Sequence, residues 1–267
     1  MRVWIASLFF YSFVFFVCEI LRYIIIVYLT KRISSSFRSL LLEFVGTLQV
    51  CTPMFDVNLI LSTYGLFGVF IEITVIELAN CYFLRDAIAH PCPLITSATR
   101  KRSVARRAII VFFTQMAAAY LSYFFARLFW KLRLNRKHVE LLFSQHCEAD
   151  LTVAITSGCL IEGFATFFGK AVECFASEQY TDSRAQALVN CIFAGFITTL
   201  GINFTGMYAN PIVAWACTFN CEGITHVAHL IVYWLSPLVG WYFAEAVFGE
   251  DECILDDEQE NEPKKID

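Results

Sequence analysis

The sequence predicts an all-α membrane protein: a bundle of membrane-spanning helices broken by two short half-helices. Three observations carry this. Of 267 residues, 58% are hydrophobic and 16% charged, against roughly a quarter charged in a soluble domain. Apolar runs of about 20 residues, enough to cross a hydrocarbon core, recur along the chain. And Asn210-Pro211-Ile212 opens an apolar stretch, Ile212–Phe219, of about two turns, far too short to span. A half-helix among membrane spans is tolerated only where its broken backbone lines a cavity walled by protein.

Composition also excludes. The net charge of −4 is local in origin, basic around residues 100–107 and acidic at the C-terminus. No basic, aromatic-rich surface points to nucleic acid. The 11 cysteines lie singly, without zinc spacing, and no cofactor or metal is expected. Cys18, Cys51, Cys81, Cys159, Cys191 and Cys217 sit in apolar runs as small hydrophobes. Cys147 and Cys221 are expected on the non-cytosolic side, where a disulfide is open to either; the sequence does not pair them.

Taken in order, Val3–Leu29 is apolar and ends at Lys31-Arg32. It exceeds the 7–15-residue core of a signal peptide, so it is read as a retained helix whose basic flank lies in the cytosol. Glu19 and Arg22 share a face and are expected to pair. Leu40–Leu61 follows, with Glu43 and Thr47 on one face; the same device returns as Glu162 and Thr166 in Leu151–Phe175. Intramembrane carboxylates face the bundle interior, and two in matching contexts signal an internal duplication. Tyr64–Leu84 carries Glu72 and Glu77 and leads to His90-Pro91-Cys92-Pro93, which the duplication makes the first box. A cytosolic loop with a chance His-Pro is the alternative. His caps less well than Asn, and Pro93 is expected to weaken that half-helix further, although prolines are tolerated in a first turn.

The cluster Arg100–Arg107 marks a cytosolic loop. Ala108–Trp130 is the next span. The loop Lys131–Asp150 then falls outside the cytosol although it holds Lys131, Arg133, Arg136 and Lys137, against the same rule. Leu151–Phe175, Ala187–Phe204, the box at 210–212 and Val227–Phe248 complete the set. Asn210 is a good N-cap, and Pro211 suits the first helical position. The division is 1–37 (N-terminal helix), 38–130 (first repeat), 131–150 (connecting loop), 151–249 (second repeat) and 250–267 (acidic cytosolic tail). Lys264 and Lys265, near a C-terminus placed in the cytosol, are similar to a dilysine signal for retrieval to the endoplasmic reticulum; two solvated lysines are the alternative.

Thr205-Gly206, the box Asn210-Pro211-Ile212 and Cys221, nine residues beyond it, resemble the second half-helix of the aquaporin (major intrinsic protein) family, in its divergent superaquaporin, or unorthodox, branch. Glu43 and Glu162, with Thr47 and Thr166, resemble the glutamate motifs of the first and fourth aquaporin helices. His90-Pro91-Cys92 resembles the branch's asparagine-proline-cysteine box with His for Asn, and Val227–Phe248 its last helix. The resemblance covers roughly residues 38–249. It implies an inverted repeat of six transmembrane helices plus two re-entrant half-helices, here with an extra N-terminal transmembrane helix, and a homotetramer with one pore per subunit. It implies that Glu43 and Glu162 hold the re-entrant backbone. It places the pore's constriction at Phe70, Thr198 and Val213, the last where an arginine is usual. With that arginine and its companion histidine absent, passage of glycerol-sized neutral solutes or hydrogen peroxide beside water is expected, with Arg85 or His90 as substitute positive charge. A fold of this kind with a closed pore is the alternative; an intramembrane enzyme using Glu72, Glu77 or His90 lacks visible converging groups.

Overall fold

The computed structural model describes residues 1–100, 103–144 and 146–249. Lys101 and Arg102 of the basic cluster, and the acidic tail with Lys264 and Lys265, lie outside them. The described residues are nearly all helical. In order they form α1 (Val3–Ile24, prolonged by a π-helical turn Ile25–Leu29), α2 (Ser35–Cys51, then a 3-10 turn Thr52–Asp56), α3 (Val57–Phe83), α4 (Pro91–Arg100) and α5 (Ala105–Trp130). Then come α6 (Arg136–Phe143), α7 (Ile155–Gln179), α8 (Ser183–Thr205), α9 (Pro211–Thr218), α10 (His226–Leu230, with a π-helical turn Ile231–Leu235) and α11 (Ser236–Phe248).

Among the described residues, 5 stretches are long and apolar enough to cross a membrane. One of them, Ser35–Phe83, makes two passes. Gly65 interrupts it at φ 67°, a left-handed geometry that glycine takes without steric cost. The chain does reverse there, because Gln49 Nε2 donates to Asn80 Oδ1 at 3.0 Å; a straight helix would hold these residues about 46 Å apart. The remaining long helix, α7, is 25 residues but carries Glu162, Lys170, Glu173 and Glu178. Its charges, not its length, set it apart. The structure is an aquaporin-like helical membrane fold with an added N-terminal helix.

Glycines set the closest helix approaches. A Cβ on Gly240 of α11 would collide with the Gly163 carbonyl of α7, and one on Gly195 of α8 with the Phe70 carbonyl and Thr74 of α3. Small residues at crossings are how helices associate where no hydrophobic drive separates lipid from protein.

The extra helix is pinned rather than tethered. Ser7 Oγ donates to Asp56 Oδ2 at 2.8 Å, and His138 of α6 meets the same oxygen at 2.8 Å. Tyr11 donates its hydroxyl to Glu72. Glu19 pairs with Arg22 at 3.4 Å, as expected, and also with Arg85. Phe10, Val14 and Cys18 pack with Phe129 and Trp130 of α5. The stretch read from sequence as a plain loop, 131–150, therefore contains α6, capped by Asn135 accepting from the Lys137 amide and anchored by buried His138 and Leu142. Cys147 and Cys221 are joined as a disulfide across 74 positions, reinforced by Glu222 N–H to the Cys147 carbonyl at 2.8 Å.

Gly240→Ala is expected to lower thermal stability of the detergent-solubilised protein by about 1–3 kcal/mol through overpacking, read as a downward shift of the unfolding midpoint. An unchanged midpoint would show that α7 and α11 do not meet there.

A candidate pore between two half-helices

Each box builds its own helix start. Asn210 is in the extended region (φ −131°) and its Oδ1 accepts from the Ile212 amide at 3.1 Å, with Pro211 as the first helical residue. In the other half, His90 Nδ1 accepts from the Cys92 amide at 3.2 Å, with Pro91 first in α4. The imidazole thus makes the bond an asparagine oxygen would make. Pro93 does not weaken α4, contrary to the expectation from sequence. It lies in the first turn, whose amides have no intrahelical partner to lose, and α4 runs ten residues to Arg100.

The backbone entering each box is strained and held. Ala89 and Ala209 both sit in the left-handed region, at φ 47° and 48°, a cost of about 1–2 kcal/mol for a residue with a Cβ. That geometry turns consecutive amides towards a buried carboxylate. Glu43 accepts from Ile88 N and Ala89 N, each at 2.8 Å, and from Gln115 Nε2 at 2.7 Å. Glu162 accepts from Tyr208 N at 3.2 Å, Ala209 N at 2.8 Å and Thr205 Oγ1 at 2.6 Å. The motif threonines differ. Thr166 donates to the Glu162 and Ala209 carbonyls at 2.9 and 3.2 Å, whereas Thr47 Oγ1 is buried without a hydrogen-bond partner.

The two tips meet. Asn210 Nδ2 donates to the Ala89 carbonyl at 2.9 Å, and His90 Nε2 lies 3.3 Å from the Ala209 carbonyl. Because Nδ1 already accepts from Cys92, the neutral tautomer bearing its proton on Nε2 satisfies both contacts. Pro91 and Pro211 are buried, and Cys51, Ala89, Ile212 and Val213 share one apolar cluster.

Around the tips lies a cavity of about 380 Å³, lined by His90, Asn210, Thr198 and Val213. Phe70, assigned to the constriction from sequence, does not line it; its carbonyl and ring pack at Gly195 of α8, and Ile73, one turn on, takes the cavity position. Arg85 is not a pore charge either, being paired with Glu19 on α1. Cys221, in its disulfide, is a tie rather than a lining residue.

Sequence reasoning missed several lining groups: Asn58, Asp150 and Tyr208 towards one end, Lys170, Glu173 and Trp241 towards the other. Asp150 accepts from Asn58 Nδ2 at 2.9 Å and from the Tyr208 hydroxyl. The signal for Lys170 was present: Glu162, Thr166, Lys170 and Glu173 follow helical spacing on one face of α7.

Similarity to known proteins agrees with this geometry. The chain is 23% identical over 228 residues to aquaporin-11 of the tardigrade Milnesium tardigradum, covering 85% of this chain and 81% of the relative. A Caenorhabditis elegans protein that carries the name aquaporin-10 provisionally is 25% identical over 246 residues, 92% of this chain and 86% of that one. Mouse aquaporin-12 is 28% identical over 116 residues, 43% of this chain and 39% of its own length. The chain is a homologue of the unorthodox aquaporins. No family model matches it. At the level of the aquaporin family, this supports a membrane channel rather than an enzyme.

His90→Asn keeps an acceptor for Cys92 and a donor for Ala209, as Asn210 does, and is expected to leave thermal stability within about 1 kcal/mol of the parent. His90→Leu removes the cap, worth about 0.5–2 kcal/mol, and leaves the Ala209 carbonyl with Thr166 as its one donor, about 0.5–1.5 kcal/mol more. Equal unfolding midpoints for the two variants would show that the ring's hydrogen bonds do not hold the tip.

Proposed function

We propose that the protein is a passive channel for water and small neutral solutes, such as glycerol or hydrogen peroxide, across an intracellular membrane. The observation that carries this is the tip-to-tip meeting of two capped half-helices at one cavity. Both N-termini point inward, each with about half a positive charge, a field that disfavours cations while neutral molecules pass. Val213 in place of an arginine leaves that position of the wall uncharged and with a shorter side chain, and Thr198 lines the same cavity. No chemical step is needed. Of the groups that an intramembrane enzyme reading would use, Glu72 is bonded to Tyr11 and His90 to Cys92 and Ala209, which leaves Glu77 as the one carboxylate among them that faces the cavity.

Orientation has its own support. The Cys147–Cys221 disulfide fits an oxidising compartment, which assigns the Asp150 end of the cavity to the lumenal or outer side and the Glu173 end to the cytosol. A cytosolic C-terminus would let Lys264 and Lys265 act as a retrieval signal in the endoplasmic reticulum. The homotetramer rests on family resemblance.

A non-conducting protein of this fold is the second reading, and one observation favours it. His90 gives its single N–H to the Ala209 carbonyl, and its ring stands 5.1 Å from that of Trp241, so the imidazole itself offers a permeant bulk and no free donor. Stopped-flow swelling and peroxide uptake in reconstituted vesicles separate the two. The parent is expected to raise glycerol and peroxide permeability several-fold above empty vesicles, and Val213→Arg to cut both while sparing water. Parent vesicles no more permeable than empty ones would leave the closed reading; permeability to water alone would refute the wider solute range.

A further inference from the structure

We propose that Lys170 is the side chain whose charge adds to the half-helix field and keeps cations, hydronium included, out of the pore; this rests on the channel reading above. On α7, Glu162 holds the second half-helix tip, Thr166 touches the Ala209 carbonyl, and Lys170 comes one turn later on the same face. It therefore stands about 12 Å along the axis from Glu162, in the half of the cavity away from Asp150. Its side chain is only 1% exposed, yet it lines the cavity. The charge accordingly acts on the lumen and not on bulk water.

Its position is fixed from two sides. The ammonium sits over the Trp241 ring, 4.9 Å from its centroid, and 3.2 Å from Glu173 Oε2. Trp241 is the ring that neighbours His90, so a side chain reaching it stands close to the tips. Among the described residues lining the cavity, Lys170 is the one lysine or arginine.

Three carboxylates face the same cavity: Asp150, Glu173 and Glu77. Asp150 lies at the far end, engaged by Asn58 and Tyr208. Glu173 is 53% exposed, where water and salt weaken its field. Glu77 stands on α3, across the lumen from α7. A buried charge is screened far less than an exposed one, so an ion inside the lumen feels the ammonium more strongly than the half-exposed Glu173 carboxylate. At a separation of about 5 Å and an effective dielectric of about 20, the bare charge corresponds to an effect of roughly 200-fold on cation passage; with Glu173 opposing it, loss of the charge is expected to raise passage at least 10-fold.

The test uses the full chain in proteoliposomes, with potassium and proton leak and water permeability measured on the parent, Lys170→Gln, Lys170→Met and Lys170→Arg. The parent and Lys170→Arg are expected to stay cation-tight, while the Gln and Met variants leak at least 10-fold more with water permeability kept or raised. Gln and Met variants as tight as the parent, in vesicles that still pass water, would overturn the assignment and leave the channel standing. A Lys170→Arg variant that leaks like Gln would overturn it too, by showing that packing and not charge matters. If the neutral variants fail to fold, the parent decides: potassium leak through it contradicts a cation barrier. Vesicles that pass neither water nor solute in any form remove the channel reading and this one with it.

Discussion

A backbone that stops being helical inside a bilayer must find partners for its amides within the protein, because lipid supplies none. Glu43 and Glu162 meet that demand. Each gathers two consecutive amides just ahead of a box and a third donor from a neighbouring helix. The left-handed alanines at 89 and 209 are strained so that those amides can reach the carboxylates. Their carbonyls are thereby turned to the opposite tip, where Asn210 and His90 take them up. One carboxylate in each half thus settles the loop, the tip and the contact between the halves.

The duplication is symmetric in scaffold and asymmetric in chemistry. Asparagine carries two amide hydrogens, so Asn210 can give one to Ala89 and retain another for a molecule passing by. The neutral imidazole of His90 has one, and Ala209 accepts it. A pore with one usable donor at its centre holds a water less tightly than one with two and gains nothing in exchange from the ring's bulk.

Much of this was legible in the sequence. Apolar length gave the spans, and the repeated Glu-x-x-small-Thr pattern pointed to two halves with Glu43 and Glu162 facing inward. Cap chemistry located both half-helices to within a residue, since Asn-Pro and His-Pro fix where a helix can begin. What stayed hidden depends on three-dimensional neighbours. Whether Phe70 or Ile73 faces the cavity turns on how α3 rotates against Gly195, a packing choice that spacing alone leaves open. The histidine's adequacy as a cap needed the position of Ala209, far away in sequence, to fix its tautomer. The pairing of Cys147 with Cys221 needed two loops brought to one end of the bundle. α6 was obscured because its eight residues carry too little apolar surface to stand out in a basic loop.

The acidic residues within the spans obey one rule, and it explains the extra helix. An intramembrane carboxylate is costly unless it is matched, and Glu43, Glu162, Glu245, Asp56 and Glu72 are found where broken backbone lacks a partner or where an added element must be held. Glu43 and Glu162 match broken backbone. Glu245 of α11 gathers Thr96, Arg100 and Trp241 and so fixes the first half-helix from its far end. Asp56 and Glu72 match Ser7 and Tyr11 of α1, with Glu19 returning the favour to Arg85. Apolar contact alone would let a seventh helix slide or rotate against lipid-like neighbours, because lipid tails are as apolar as leucine. Three polar contacts along its length give α1 one register. The same currency that opens the backbone for a pore therefore also fastens a helix that the pore itself does not require.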